Sequence, residues 1–171
     1  MSLIIVEDGT IVDNANAYID VDYADNYLSI TNKSGWNDYS ILQKEKSIIE
    51  ATQTIDLSYT FSGEVTDVDQ ALEFPRINCY DKQRNIFLSS SIIPVALKNA
   101  VCELAYTRLS SGENLLEATG SEVLKKEKIG SIEIERFNQA RLPDVQKFKK
   151  VTTMLERYSK KLNKSFLTVR G

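Results

Sequence analysis

The sequence contains no histidine. That removes the commonest general base and the commonest metal ligand, and it excludes a Ser–His or Cys–His nucleophile within the chain. Seven glycines are present, but no G-x-x-x-x-G-K or G-x-G-x-x-G, so no loop is expected to cradle phosphate. No apolar run approaches the roughly 20 residues that span a bilayer, and no membrane partner is expected. The start, Met1 to Asp8, lacks a basic leader and a long apolar stretch, and does not read as a secretion signal. The two cysteines, Cys79 and Cys102, are not at metal-ligand spacing. They read as free buried thiols in a reducing cytoplasm, although spacing does not decide against a disulfide. With no nucleophile, base or cofactor motif, neither an enzyme nor a cofactor is expected.

What the chain does have is a composition that folds. Its 171 residues are 42% hydrophobic and 26% charged, enough for one soluble domain with a real core. The formal net charge is −3, which is not that of a generic nucleic-acid binder. Leu3–Val6 is a short β-like run ending in the Asp8-Gly9 turn, and Asn14 to Tyr18 reads as polar loop. Asp20 is a good N-cap for a helix over 21–30, with Val21, Ala24 and Leu28 on one stripe. Ser40 and Gln43 match a capping box and predict a helix over 41–57, with Ile41, Ile48, Thr52 and Ile55 on one face and Ile49 and Ala51 widening it. Residues 60–92 contain no helical pattern and read as a long loop crossing the body, long enough that short strands or a helical turn are expected inside it. Pro94 suits the first turn of a third helix over 93–110, with Leu97, Val101, Leu104 and Ala105 buried and Gly112 ending it. Gly130-Ser131, followed by the alternation Ile132, Glu133, Ile134, Glu135, predicts a β-hairpin over 123–137.

A last helix is predicted over 144–163, with a narrow seam of Phe148, Val151, Leu155, Tyr158 and Leu162. The expected fold is therefore mainly α: a small bundle of about four helices, one β-hairpin and a long crossing loop. Residues 1–143 form its core and 144–171 a basic helix and tail. The charge divides at that boundary, −9 before residue 144 and +6 after it. Such a basic tail suits docking on an acidic surface; the alternatives are a solvated helix back or contact with nucleic-acid phosphate. Phe166, Leu167 and Val169 are poor choices for a solvated end. With Lys160, Lys161, Lys164 and Arg170 they form the candidate partner-binding segment.

Other chemistry-bearing residues have plain structural readings. Glu133 and Glu135 share a strand face and could act as an acidic pair, but fit a solvated face opposite Ile132 and Ile134. Asp67-Val68-Asp69 resembles part of a calcium loop without its glycine and distal glutamate. Trp36 with Tyr39, and Phe74 with Arg76, could stack on bases, but aromatics at helix ends and beside proline more often plug a core. Pro75 biases Phe74 to extended backbone.

Several stretches, in order, resemble one family. They are Asn14-Ala15-Asn16-Ala17-Tyr18-Ile19 with Ala24-Asp25-Asn26-Tyr27, then Ala51-Thr52-Gln53-Thr54-Ile55-Asp56 with Tyr59, Phe61 and Gly63. Next comes the most recognisable, Gln70-Ala71-Leu72-Glu73-Phe74-Pro75-Arg76, followed by Ile93-Pro94 with Ala100 and Glu103-Leu104-Ala105. Lys126 to Ile134 completes the set, which covers residues 3 to about 137. The chain resembles phage and prophage proteins often labelled DnaT-like single-stranded-DNA-binding proteins, which are also similar to the head–tail adaptors of tailed phages. The adaptor likeness implies a virion protein at the neck, made in the host cytoplasm. It would form a ring, commonly of twelve, that contacts the portal and further neck or tail proteins, with packaged DNA passing through the lumen unread. It also marks Phe74, Pro75 and Arg76 as a structural motif. The DNA-binding label implies a replication role instead. The acidic charge of residues 1–143 favours the adaptor, because a strand binder needs a basic groove with stacked aromatics.

Overall fold

The computed structural model describes residues 2–112, Leu115, the backbone of two strands at 126–129 and 132–135, and residues 148–160. Helix α1 spans Val21–Ile30, a 3-10 turn follows at Trp36–Asp38, and α2 spans Ile41–Ser58. Strands β1 (Glu64–Val65), β2 (Arg76–Ile77), β3 (Tyr80–Asp81) and β4 (Ile86–Phe87) then precede α3 at Val95–Ser111. Strands β5 (Lys126–Ile129) and β6 (Ile132–Glu135) and the short α4 (Lys149–Leu155) complete the order. The mainly helical architecture with a hairpin is as the sequence implies.

Capping decides where the first two helices begin. Asp20 accepts from the backbone N–H of Tyr23 at 2.8 Å. Ser40 accepts from the N–H of Gln43 while the Gln43 side chain accepts from that of Ser40, so two N–H groups without intrahelical partners are satisfied together. Helix α3 starts two residues later than the sequence suggests. Pro94 is its N-cap in extended conformation and not its first helical residue, and the helix ends at Gly112 with φ 70°.

The core lies where α2 and α3 face each other, with α1 and α4 packed against α3. Leu28, Ile48, Ile55, Leu97, Val101 and Leu155 are fully enclosed. Burying each such side chain contributes roughly 1.5–3 kcal/mol. Ile41, assigned by periodicity to the inner face of α2, sits in the first turn and is 68% exposed, whereas Ile48, Ala51, Thr52 and Ile55 of that face are buried. The polar-looking segment 14–18 also differs from expectation. Ala15, Ala17 and Tyr18 are buried, and Ala17 forms a parallel bridge with Val6. Glu7 organises that entry segment: its carboxylate accepts the N–H groups of Gly9, Ile11 and Val12 at 2.8–3.1 Å.

The crossing segment 60–92 holds two small antiparallel pairs, β1 with β2 (Val65 opposite Arg76) and β3 with β4 (Tyr80 opposite Phe87). Gly63 is required here. At φ 73° a Cβ would lie 2.2 Å from the carbonyl oxygen of Ile77. The predicted hairpin is present, with Ile129 opposite Ile132.

The last helix departs most from its prediction. Residues 144–147, and Leu162 of the proposed seam, lie outside the described residues. Within them the helix stops at Leu155, because the following backbone pairs with the crossing segment. Ser159 bridges Phe61 in antiparallel sense, Ser62 donates to Tyr158 at 2.8 Å, and Lys160 donates to Thr60 at 2.9 Å. Val151, Leu155 and Tyr158 are nevertheless buried against the bundle, and Phe148 is partly so.

Candidate functional site

The recognisable motif Phe74-Pro75-Arg76 is the hub on which the crossing segment, α2 and the C-terminal helix meet. Phe74 is buried, and the Phe74–Pro75 peptide bond is cis. Its ring meets Phe61 edge-on at 4.9 Å between centroids, and Tyr18 and Tyr158 at 6.4 Å each. Arg76, also buried, donates to the carbonyls of Ser62 and Gly63 at 3.0 Å and to the carbonyl and carboxylate of Glu73. Three of these four bonds hold the loop's own backbone, and the side chain is almost wholly shielded from solvent. Phe74 and Arg76 are thus both buried within the fold.

Below the ring, the Tyr18 hydroxyl donates to Asp56 at 2.8–2.9 Å and accepts from the N–H of Phe74 at 3.2 Å. Asp56 also accepts from the N–H of Glu73. Burial pushes the Asp56 carboxyl up; the Tyr18 and Glu73 bonds pull it back only partly, and it settles at about 7. Tyr18 is likewise raised well above the ordinary phenol value by burial and by that carboxylate. Periodicity missed Tyr18 because asparagines surround it; only the resemblance pointed to the segment.

Two ion pairs clip the C-terminal helix to the body. Arg157 reaches the fully buried Asp81 with Nε at 3.0 Å and Nη2 at 2.5 Å. Burial alone would raise Asp81, but Arg157 and the N–H groups of Arg84 and Gln83 more than offset it, so its carboxyl lies below the ordinary range. Glu103 on α3 accepts from Lys150, Lys33 and the Tyr27 hydroxyl, and these bonds likewise outweigh burial and lower its pKa.

Most described aromatic side chains are turned inward, and the rings of Tyr80 and Phe87 lie 5.1 Å apart on the β3–β4 hairpin. Trp36 and Phe74, the sequence candidates, are each 1% exposed; Trp36 donates its indole N–H to Asp25 at 2.6 Å. Tyr39 turns its hydroxyl inward to the carbonyl of Leu109. Tyr23, Tyr27, Tyr59 and Tyr106 likewise spend their hydroxyls on internal partners. Among the described residues Phe87, at 67%, is the one aromatic side chain that stands exposed.

The charges agree. Residues 1–112 carry eight lysines and arginines against sixteen aspartates and glutamates. Four of those eight, Lys33, Lys44, Arg76 and Arg108, are held in ion pairs. Among the described residues no group of three His, Cys, Asp or Glu side chains could hold a metal, and Asp67 instead accepts from the N–H of Asp69. Cys79 and Cys102 are buried free thiols, both raised by burial. No described helix is long and apolar enough to cross a membrane. Of the candidate partner-binding residues only Lys160 is described. It is exposed, where the chain leaves its pairing with Thr60; Lys161, Lys164, Phe166, Leu167, Val169 and Arg170 lie outside the described residues.

No curated protein and no solved structure matches the chain. A family model does, and its match runs over residues 1–171. It takes in the acidic helical body, the Phe74-Pro75-Arg76 hub and the basic tail together. The chain belongs to the family described as "Putative DnaT-like ssDNA binding protein".

Proposed function

We propose that the protein is a structural, non-enzymatic component of a tailed-phage neck. It is a head–tail adaptor that forms a ring below the portal, joins it to further neck or tail proteins, and lets packaged DNA pass. The observation that carries this reading is the placement of aromatics and charge. Binding single strands without regard to sequence takes a basic groove lined by exposed rings. Here the rings are internal or hydroxyl-anchored, with Phe87 the exception, and residues 1–112 carry a formal charge of −8. An acidic body repels phosphate, which suits a channel through which DNA must slide. The ordered resemblance to adaptors, centred on Gln70 to Arg76, supports the same role. The basic tail, with Phe166, Leu167 and Val169, serves as the contact to the portal or a neighbouring subunit.

The second reading is single-strand binding in phage replication, and the family's description favours it. Both can be tested on the full chain. Co-expression with a tailed-phage portal protein, followed by electron microscopy, should give rings seated on the portal. Fluorescence anisotropy with a labelled oligothymidine should show only weak binding that salt abolishes. Tight oligothymidine binding at physiological salt, without portal rings, would replace the adaptor by the replication role.

A further inference from the structure

Two apolar patches on the crossing segment are uncovered by the described residues, and their charges are opposite. The first is the β3–β4 hairpin. Its turn carries Lys82 and Arg84, and no acidic residue occurs from residue 82 to residue 98. Beside the turn Phe87 is 67% and Ile86 47% exposed, and the Tyr80 ring backs that of Phe87 at 5.1 Å. Lys82 donates to the carbonyls of Glu156 and Ser159. Arg84 is exposed and stands in no ion pair among the described residues. The hairpin thus presents an exposed ring and a free guanidinium together.

The second patch is a concavity of about 290 Å3 between the end of α2 and the loop leading to Phe74. Leu57, Val65, Val68 and Leu72 give it apolar walls; the charged residues that line it are Asp56, Asp67 and Glu73, with no lysine or arginine. Leu57 is 72% and Val68 89% exposed. Glu73 shares its carboxylate with Arg76, and much of Asp56 is protonated near neutral pH, which leaves Asp67 as the free anion. The hairpin cannot fill the concavity of its own chain. Its Lys82 N–H donates to the carbonyl of Arg157 at 3.0 Å and its Asp81 is paired with the Arg157 side chain, so it is fixed against the C-terminal helix. None of its residues lines the concavity.

We propose that the β3–β4 hairpin of one copy docks in the concavity of a second copy: Phe87 and Ile86 cover Leu57 and Val68, and Arg84 pairs with Asp67. An aromatic side chain seated in an apolar recess gives such a contact its affinity, and the charge pair at its edge fixes its register. A ring beside a cation also suits a nucleic-acid base, but only a protein occupant accounts for the acidic apolar recess on the same chain. Each copy has one such hairpin and one such concavity, so the contact is head to tail, and contacts of that kind close into rings where the rotation between copies permits. The proposal rests on the ring reading for that closure alone; the pairing of two copies is tested on the free protein.

The test uses two full-length preparations, one with Gln83→Cys on the hairpin and one, isotope-labelled, with Ala71→Cys on the concavity's wall. Both positions are exposed, and native Cys79 and Cys102 are buried. The preparations are mixed, treated with a short bismaleimide, and the linked peptides are quantified by mass spectrometry. Links between positions 83 and 71 of unlike copies should outnumber links between like positions by roughly five-fold or more. Adding Phe87→Ser or Arg84→Asp to the hairpin copy should cut their yield by a similar factor, and Asp67→Arg in the other copy should restore it for Arg84→Asp. Three results would each overturn the proposal: unlike links no more frequent than like ones, a charge reversal that Asp67→Arg does not restore, or a Phe87→Ser variant that loses oligothymidine binding at unchanged link yield. Rings on the portal without these links would strike this contact and leave the ring reading; the links without portal rings would do the reverse.

Discussion

The bundle α1–α3 and the crossing segment 60–92 are held together by different physics. In the bundle, apolar stripes pack and caps fix the ends: Leu28, Ile48 and Leu97 are buried, and Asp20 and Ser40 satisfy the helix starts. In the crossing segment, side chains bond to backbone. Arg76 holds the carbonyls of Ser62 and Gly63, Gln70 those of Leu72 and Pro75, and Asp81 the N–H groups of Gln83 and Arg84. A bundle of this kind tolerates apolar exchange of similar volume. The crossing segment tolerates little exchange at its polar anchors, because each loss strands buried partners.

The largest effect is expected where the two regimes meet. Phe74→Ala removes a buried ring with three aromatic neighbours and should destabilise the protein by about 3–5 kcal/mol, read by urea unfolding. A loss under about 1 kcal/mol would mean that the hub is not the joint. Next comes Asp81→Ala, which leaves Arg157 without its carboxylate and frees two N–H groups. A cost of about 2–3 kcal/mol is expected, with faster hydrogen exchange in 149–160 than in α2.

The third prediction concerns pH. The Asp56 carboxyl is raised to about 7 in the folded protein, from an ordinary value of 3.8. A raised carboxyl contributes stability that is fully present below about pH 4 and is lost as pH rises through about 7. Glu73 opposes its ionisation and Arg76 favours it, with the Tyr18 hydroxyl in direct contact. Stability should fall by about 2 kcal/mol between about pH 5 and pH 8, and Asp56→Asn should flatten the slope. Asp81 and Glu103, both lowered, act oppositely: their contribution is present above about pH 4 and lost as pH falls further. An unchanged slope in Asp56→Asn would assign the pH dependence elsewhere. The smallest effect is on the bundle side, where Ser40→Ala should cost about 1 kcal/mol and leave the crossing segment's exchange rates alone.

The same contrast explains what could be read in advance. Helices α1 and α2 were legible because their caps and stripes are local: Asp20 with Tyr23, Ser40 with Gln43. The hairpin was legible from Gly130 and strict alternation, and Phe74 as a plug from the proline beside it. Short strands were expected somewhere in 60–92, but the positions and pairing of β1–β4 were not legible, because two-residue strands have no period and are set by partners such as Ser62 and Asp81. The end of α4 was misread for a related reason. The seam spacing continues to Leu162, but pairing of Ser159 with Phe61, 98 residues earlier, overrides it. Tyr18 was hidden because its value lies in one hydroxyl that joins Asp56 to the backbone of Phe74.

The clasp between Asp81 and Arg157 also has a meaning in time. The chain is synthesised from its N-terminus, and Asp81 leaves the ribosome 76 residues before the cation that neutralises it. At ~5–20 residues per second that interval lasts several seconds. During it α1, α2 and α3 can already pack, since their contacts are complete by residue 111. The crossing segment cannot be sealed, because Phe61 lacks Ser159 and Phe74 lacks Tyr158. A nascent protomer therefore carries an open flank until translation reaches residue 160. Premature termination anywhere in the α4 region would leave Phe61 and Phe74 without the Ser159 and Tyr158 that cover them.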